Sequence, residues 1–198
     1  MKIILASNSP RRKELLAAIE KDFEVRTLQG IDETYPQGLT MTGIPEHISS
    51  HKAAAYALGE DELLIAADTI VYLDGEVLGK PANAKEACAM LAKLSGQTHQ
   101  VVTGVTLRSL ERTSTFSCVT EVTFAELTKE QIKYYVDNYA PFDKAGAYGI
   151  QEWIGYIGVT GINGSFYNVM GLPVQRLGVE LKAFLNNEND PYVDNFIY

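Results

Sequence analysis

The chain has 198 residues, 46% of them hydrophobic and 21% charged, with a formal net charge of −8. This is the composition of an ordinary soluble globular protein, long enough for one substantial domain or two lobes sharing a core. So acidic a balance argues against a general nucleic-acid or membrane-surface binder, and no stretch approaches the length of a membrane span. With only Cys88 and Cys118, a disulfide framework is not expected and a reducing cytoplasm fits. Both thiols should be buried, one in a helical run and one in a strand.

Residues 2–6 form a continuous apolar run, too short for a signal peptide, and read as a buried strand feeding a helix over 10–19. Ser9 suits the N-cap and Pro10 the first helical position, where proline loses no needed hydrogen bond. Arg11, Arg12 and Lys13 then stand at the helix end that carries partial positive charge, a placement costing roughly 0.3–1 kcal/mol each at exposed sites. In an acidic chain such a cluster asks for a compensating anion. Free N–H groups, the Ser7 and Ser9 hydroxyls and two guanidinium forks would suit a phosphate. The other reading is a solvated helix start whose arginines pair with surface carboxylates.

A short strand over 23–27 follows, then a turn-rich loop over 30–43 carrying Asp32 and Glu33, which either contribute an acidic group to a metal or are simply solvated. A helix over 45–58 holds Lys52 among alanines. It also places His47 and His51 one turn apart, without a third ligand at zinc-type spacing. Residues 63–67 read as a buried strand with Asp68 directly after it. That carboxylate suits a magnesium ligand or a general base for water, or else caps a turn. Residues 70–73 and 76–78 flank Asp74-Gly75, a type I′ hairpin signal. The return strand should bring Lys80 back towards the end where Asp68 lies, where an ammonium could neutralise phosphoryl oxygens.

A helix over 84–94 precedes two long alternating runs, 100–110 and 113–124, expected as paired antiparallel strands. Thr128 and Gln131 form a capping box for a helix reaching about 138. Residues 146–171, rich in glycine and aromatics, should be short strands and tight loops. Within them Gln151 offers a donor and an acceptor in one plane, the pattern that reads the imide edge of uracil or thymine; its alternative role is to satisfy loop backbone. Ser165, Tyr167 and Asn168 line the same region or set a turn, and Trp153 and Tyr156 should be core residues. Pro173 sits just inside a last helix to about 185, and 186–194 is a polar, acidic tail. Neither a P-loop nor a dinucleotide fingerprint is present. The order of elements indicates an α/β protein with a mixed sheet.

Taken together, several segments resemble the Maf family of nucleoside triphosphate pyrophosphatases over nearly the whole chain. They are Leu5-Ala6-Ser7-Asn8-Ser9-Pro10-Arg11-Arg12, Ala67-Asp68-Thr69, Gly79-Lys80-Pro81, Leu94-Ser95-Gly96-Gln97-Thr98-His99, Asp143 through Gln151, and Gly164-Ser165 through Gly171-Leu172-Pro173. The resemblance implies a single domain over 1–198, with an elongated mixed sheet flanked by helices and two lobes with a cleft between them. It implies hydrolysis between the α- and β-phosphates, giving a monophosphate and pyrophosphate with a divalent metal assisting. The family's proton acceptor falls on Asp68, its phosphate-contacting motif on Ser7, Arg11 and Arg12, and further substrate positions on Glu33, Lys52 and Lys80. Its specificity positions fall on Arg11, Thr69 and Gln151.

Members carrying Ser-Pro-Arg-Arg, Ala-Asp-Thr and Gly-Ile-Gln look like dTTP/UTP pyrophosphatases. The sister group acting on 7-methyl-GTP tends to have tryptophan for the first arginine and glutamine for the threonine, and lacks Gly-Ile-Gln. This chain departs from the common pattern at Tyr139-Ala140-Pro141, where an acidic residue often precedes the proline, and at Glu152-Trp153, where glycine is common. The expected cofactor is Mg²⁺ or Mn²⁺ on the oxygens of Asp68 and Glu33. The expected partner is a nucleoside triphosphate, with no nucleic acid or membrane and with a homodimer left open, in the cytoplasm. Two other readings stay open: a nucleotide-binding regulator of cell division and septum formation, and a pyrophosphatase for purine-analogue triphosphates.

Overall fold

In the computed structural model, which describes residues 1–186, the apolar run at the start becomes strand β1 (Lys2–Leu5), followed by helix α1 (Pro10–Ala17) and strand β2 (Phe23–Val25). Helix α2 (Gly43–Ala54), strand β3 (Glu62–Leu73) and strand β4 (Glu76–Leu78) come next, then helix α3 (Ala84–Leu94). Strands β5 (Thr98–Arg108) and β6 (Thr113–Phe124) precede helix α4 (Lys129–Tyr139). The remainder comprises a 3-10 turn at Ala145–Ala147, helix α5 (Trp153–Gly158), strand β7 (Val159–Asn163), helix α6 (Phe166–Met170) and helix α7 (Val174–Asn186). Apart from Asn186, the acidic tail expected over 186–194 lies outside the described residues. Among the described residues no helix is long and apolar enough to cross a membrane.

The strands form one mixed seven-strand sheet in the order β2-β1-β3-β5-β6-β7, with β4 paired to β3. β1 runs parallel to both neighbours, Ile4 facing Glu24 on one side and Leu64 on the other. Parallel pairing buries both faces of a strand, which explains the unbroken apolar runs in β1 and the first half of β3. β5 and β6 are joined through Ser109–Arg112, closed by a 2.8 Å bond from the Ser109 N–H to the Arg112 carbonyl. A link that short serves only antiparallel neighbours.

Two compact units emerge: Met1–Asp68, Thr103–Cys118 and the segment from Gly171 form the first, and Thr69–Val102 with Val119–Met170 form the second. The first has a core group of Ile4, Ala6, Ala53, Tyr56, Leu64 and Ala66. The second is built around a larger group that includes Val71, Leu91, Phe124, Tyr135, Tyr148 and Ile154.

Several expectations hold in detail. Ser9 caps α1, its hydroxyl accepting from the Arg12 N–H at 3.4 Å. The Thr128/Gln131 capping box is complete in both directions. Asp74 and Gly75 have φ of 48° and 88°, the paired positive angles that a type I′ turn needs.

Others are corrected. Asp68 does not follow a strand; β3 runs through it without interruption. α2 begins at Gly43 and stops at Ala54, short of residue 58. The Arg108 guanidinium takes the Ala53 and Tyr56 carbonyls at 2.7 and 2.8 Å, which satisfies the open helix end. Residues 146–171 are not mainly strand and loop but hold two short helices and one strand. Closely approaching backbone allows this, since a Cβ at Gly155 would stand 1.8 Å from the Ile150 oxygen. Both cysteines are half-buried, not buried. Trp153 does pack against the core, whereas Tyr156 is 81% exposed, because the short α5 turns its side chain outward.

Candidate active site

The first unit gathers six of the expected residues. Ser7 and Ser9 shape the entry to α1: the Ser7 hydroxyl accepts from the Ser9 N–H at 3.2 Å, while Ser9 Oγ serves the cap. No acidic residue stands in the first turn of α1, where the helix end carries partial positive charge.

Arg12 has a structural task as well. β1 ends at Leu5, and the next backbone donor, the Ala6 N–H, reaches the Ile65 carbonyl at 2.9 Å. Carbonyls on one strand edge alternate, so Ala67 O is the next on that edge with no strand beside it. Arg12 Nη1 takes it at 2.8 Å, while its Nε takes the Gly171 carbonyl at 2.8 Å. One guanidinium thus ties α1 to β3 and to the approach to α7. Burial pulls the Arg12 pKa below its ordinary value, opposed by the nearby charge of Asp68, with Arg11 lowering it and Glu33 raising it. A guanidinium stays charged even so.

Asp68, 8% exposed, lies one residue beyond the carbonyl that Arg12 holds. Its Oδ1 accepts from Lys52 Nζ at 2.7 Å, and the same ammonium contacts Glu33 Oε1 at 2.8 Å. Lys52 comes from α2, Asp68 from β3 and Glu33 from the loop between β2 and α2, so three segments distant in sequence meet at one nitrogen.

The two carboxylates therefore converge on one cationic point. That donor set fits a hard divalent ion, because Mg²⁺ is commonly held by one or two carboxylates and completes its shell with water and substrate phosphates. Among the described residues no group of three or more His, Cys, Asp or Glu side chains could hold a metal. His47 and His51 merely stack, with ring centroids 6.3 Å apart, and His51 Nδ1 meets the Asp32 carbonyl at 3.0 Å.

The second unit carries Thr69, Lys80 and Gln151. The β3–β4 register pairs Val71 with Leu78; continued along the hairpin it sets Lys80 opposite Thr69, the residue after Asp68. Lys80 is exposed. The Gly79 carbonyl beside it accepts from the Gly146 N–H at 3.0 Å, which straps this strand end to the loop that leads to Gln151. Gln151 is half-buried, and its Oε1 is buried without a hydrogen-bond partner. Such an acceptor costs about 1–3 kcal/mol unless something supplies a donor.

Asn168 has a structural role. It is buried and donates to the Val101 carbonyl at 3.1 Å and to Thr120 Oγ1 at 3.0 Å. Ser165 Oγ accepts from the Asn168 N–H at 3.2 Å, which sets the turn into α6, and Tyr167 is 50% exposed.

Sequence reasoning assigned Tyr135 no role, noted Glu152 only as a departure from the common pattern, and placed Lys144 only within the segment from Asp143 to Gln151. The structure joins all three at the Gln151 loop: Tyr135 Oη donates to Glu152 Oε2, and Lys144 Nζ meets Glu152 Oε1 at 3.1 Å. Tyr135 is read naturally as one more apolar residue on the buried face of α4, and only its hydroxyl hints at a partner.

The chain has an α/β fold with a mixed sheet flanked by helices, and that fold is similar to one already solved. The chain superimposes on the Ham1 protein of Staphylococcus aureus with a TM-score of 0.52 and 19% identity, covering 95% of this chain and all of that one. The chain belongs to the Maf family: the Maf-like protein family matches residues 2–184. It is 63% identical over 183 residues to a protein of Phocaeicola vulgatus named dTTP/UTP pyrophosphatase, spanning 91% of this chain and 95% of that protein. A protein of Parabacteroides distasonis with the same name is 57% identical over 185 residues, spanning 92% and 96%.

Proposed function

We propose that this protein is a nucleotide pyrophosphatase that hydrolyses dTTP and UTP between the α- and β-phosphates, releasing the monophosphate and pyrophosphate. The observation that carries the reading is the meeting of Asp68, Lys52 and Glu33 at one ammonium beside Arg12. Relatives of that name at 57–63% identity support it, and a location in the cytoplasm accords with it.

Asp68 is the base. With Oδ1 fixed by Lys52, Oδ2 is the atom placed to accept a proton from the attacking water. Asp68 and Glu33 would hold Mg²⁺ or Mn²⁺, which when bound offsets charge on the phosphate oxygens. Ser7, Arg11 and the open N–H groups of α1 bind the triphosphate. Arg12 keeps the α1 start, Ala67 and Gly171 in fixed relation and adds its charge to the same region. Lys80 supplies a further cation for the phosphates.

Thr69 and Gln151 set base preference. The unpartnered Gln151 Oε1 suits the N3–H of a uracil or thymine imide, and the amide N–H₂ suits the neighbouring carbonyl.

A panel of nucleoside triphosphates with Mg²⁺ or Mn²⁺, read by released pyrophosphate, tests the reading. Release should be greatest with dTTP and UTP and should stop on chelation. Asp68→Asn should lower kcat by about two to four orders of magnitude, the usual yield of general-base catalysis, with the fold intact by circular dichroism. Release from purine triphosphates alone would point to a purine-analogue pyrophosphatase. Nucleotide binding with no release from any of them would point to a regulator.

A further inference from the structure

The backbone around Gln151 is a four-residue turn closed by a 3.0 Å bond from the Glu152 N–H to the Gly149 carbonyl. Ile150 and Gln151 are its central residues. Both ends of this turn are gripped by one atom. Tyr135 Oη accepts from the Gly149 N–H at 3.0 Å and donates to Glu152 Oε2. Burial and the Glu152 hydrogen bond push the Tyr135 pKa far up, so the hydroxyl keeps its proton.

The other carboxylate oxygen of Glu152 meets Lys144 Nζ at 3.1 Å, and that ammonium also meets Asp143 Oδ1 at 2.8 Å. Lys144 is only 8% exposed, so its charge is matched where water screens little. Glu152 is the N-cap residue of α5, yet its side chain makes no capping bond; it is turned towards Tyr135 and Lys144 instead. Tyr135 itself is fully buried on α4, behind a complete capping box. The anchor is therefore rigid. A Cβ at Gly149 would stand 2.8 Å from the Glu152 carboxyl carbon, so the turn closes tightly on its own clamp.

A glutamine amide that is free to flip reads uracil and cytosine equally well, because exchanging its oxygen and nitrogen exchanges donor for acceptor. Discrimination needs an amide held in one orientation by fixed surroundings. We infer that Tyr135, Glu152 and Lys144 form a positioning clamp that holds the Gly149–Glu152 turn and thereby makes Gln151 selective for uracil and thymine over cytosine. The inference rests on Gln151 reading the base in the proposed reaction. These are positioning residues: they act through Gln151 and leave phosphate chemistry to other groups.

The test compares wild type with Tyr135→Phe, Glu152→Gln and Lys144→Met, measuring kcat and KM for UTP and CTP together with thermal midpoints. Tyr135→Phe keeps the ring and deletes both grips, and should lower the UTP-over-CTP ratio of kcat/KM by about tenfold or more while kcat for UTP changes little. Glu152→Gln keeps an acceptor for Tyr135 and should retain most of the selectivity, with Lys144→Met in between. A Tyr135→Phe enzyme with a lowered thermal midpoint but an unchanged UTP-over-CTP ratio overturns the inference. Wild-type protein that releases no pyrophosphate from UTP or dTTP overturns the underlying functional reading instead. If Tyr135→Phe fails to fold, the Glu152→Ala and Glu152→Gln pair decides: equal selectivity in the two rejects the clamp.

Discussion

Arg11 and Arg12 look equivalent as residues, since both stand at the start of α1, where positive charge is least welcome. Their surroundings separate them. Arg12 gives Nε and Nη1 to the Gly171 and Ala67 carbonyls at 2.8 Å each, so removing it leaves two backbone acceptors unsatisfied beside Asp68. Arg12→Met should cost on the order of 2 kcal/mol, lowering the thermal midpoint by about 4–8 °C, together with activity. Arg12→Lys should rescue little, because an ammonium lacks the planar fork that spans two carbonyls. Differential scanning calorimetry with a pyrophosphate assay checks both. The surplus of positive charge at this pair was legible from the sequence alone. The carbonyl task was not, because Ala67 and Gly171 lie 55 and 159 residues away.

Most elements declared themselves through periodicity and punctuation. α3 was expected over its observed span, and the capping box at Thr128 and the Asp74-Gly75 turn hold in atomic detail. β3 was harder to read. Asp68 and Thr69 look like punctuation between two apolar runs, yet the strand continues because the Lys52 ammonium balances the carboxylate from another segment. The position of α2, which brings Lys52, depends on Gly104 of β5: a Cβ there would lie 2.3–2.5 Å from backbone atoms of Pro45 and Glu46. Backbone has no rotamer with which to yield. Gly104→Ala should therefore push α2 off the strand, cost on the order of 3 kcal/mol and lose activity through a displaced Lys52. Urea unfolding alongside turnover measures both. A Gly104→Ala variant with normal stability and turnover would show that α2 accommodates the methyl.

At the scale of the whole molecule, stability should depend on pH in two successive windows. His99 is fully buried, with Nε2 2.7 Å from Tyr148 Oη and Nδ1 without a partner. Burial depresses its pKa from the ordinary 6.5 to about 4. Between those values the unfolded chain takes up a proton that the folded chain refuses, so stability falls as pH falls, by on the order of 3 kcal/mol in total. Below that, Glu62 enters. Its pKa is lowered to about 2, chiefly by its hydrogen bond with Arg26, and its contribution is lost as pH falls through the range from 4.5. Thermal midpoints taken from pH 7 to pH 4 should drop in wild type and follow a flatter course in His99→Asn. Equal slopes in the two would remove His99 as the cause.

By itself the sequence determined the local structure and the chemistry on offer: the helix and hairpin signals, the α/β class, and the motif set that marks the Maf family. All of these depend on near neighbours or on residue types in order. Only the tertiary structure decided which groups meet. Lys52 joins Glu33 to Asp68, Arg12 turns to carbonyls far along the chain, and Tyr135 with Lys144 grips the turn that carries Gln151. The reason is physical. A hydrogen bond or ion pair acts over about 3–4 Å, and which residues come that close is set by sheet order and helix packing, which no local pattern encodes.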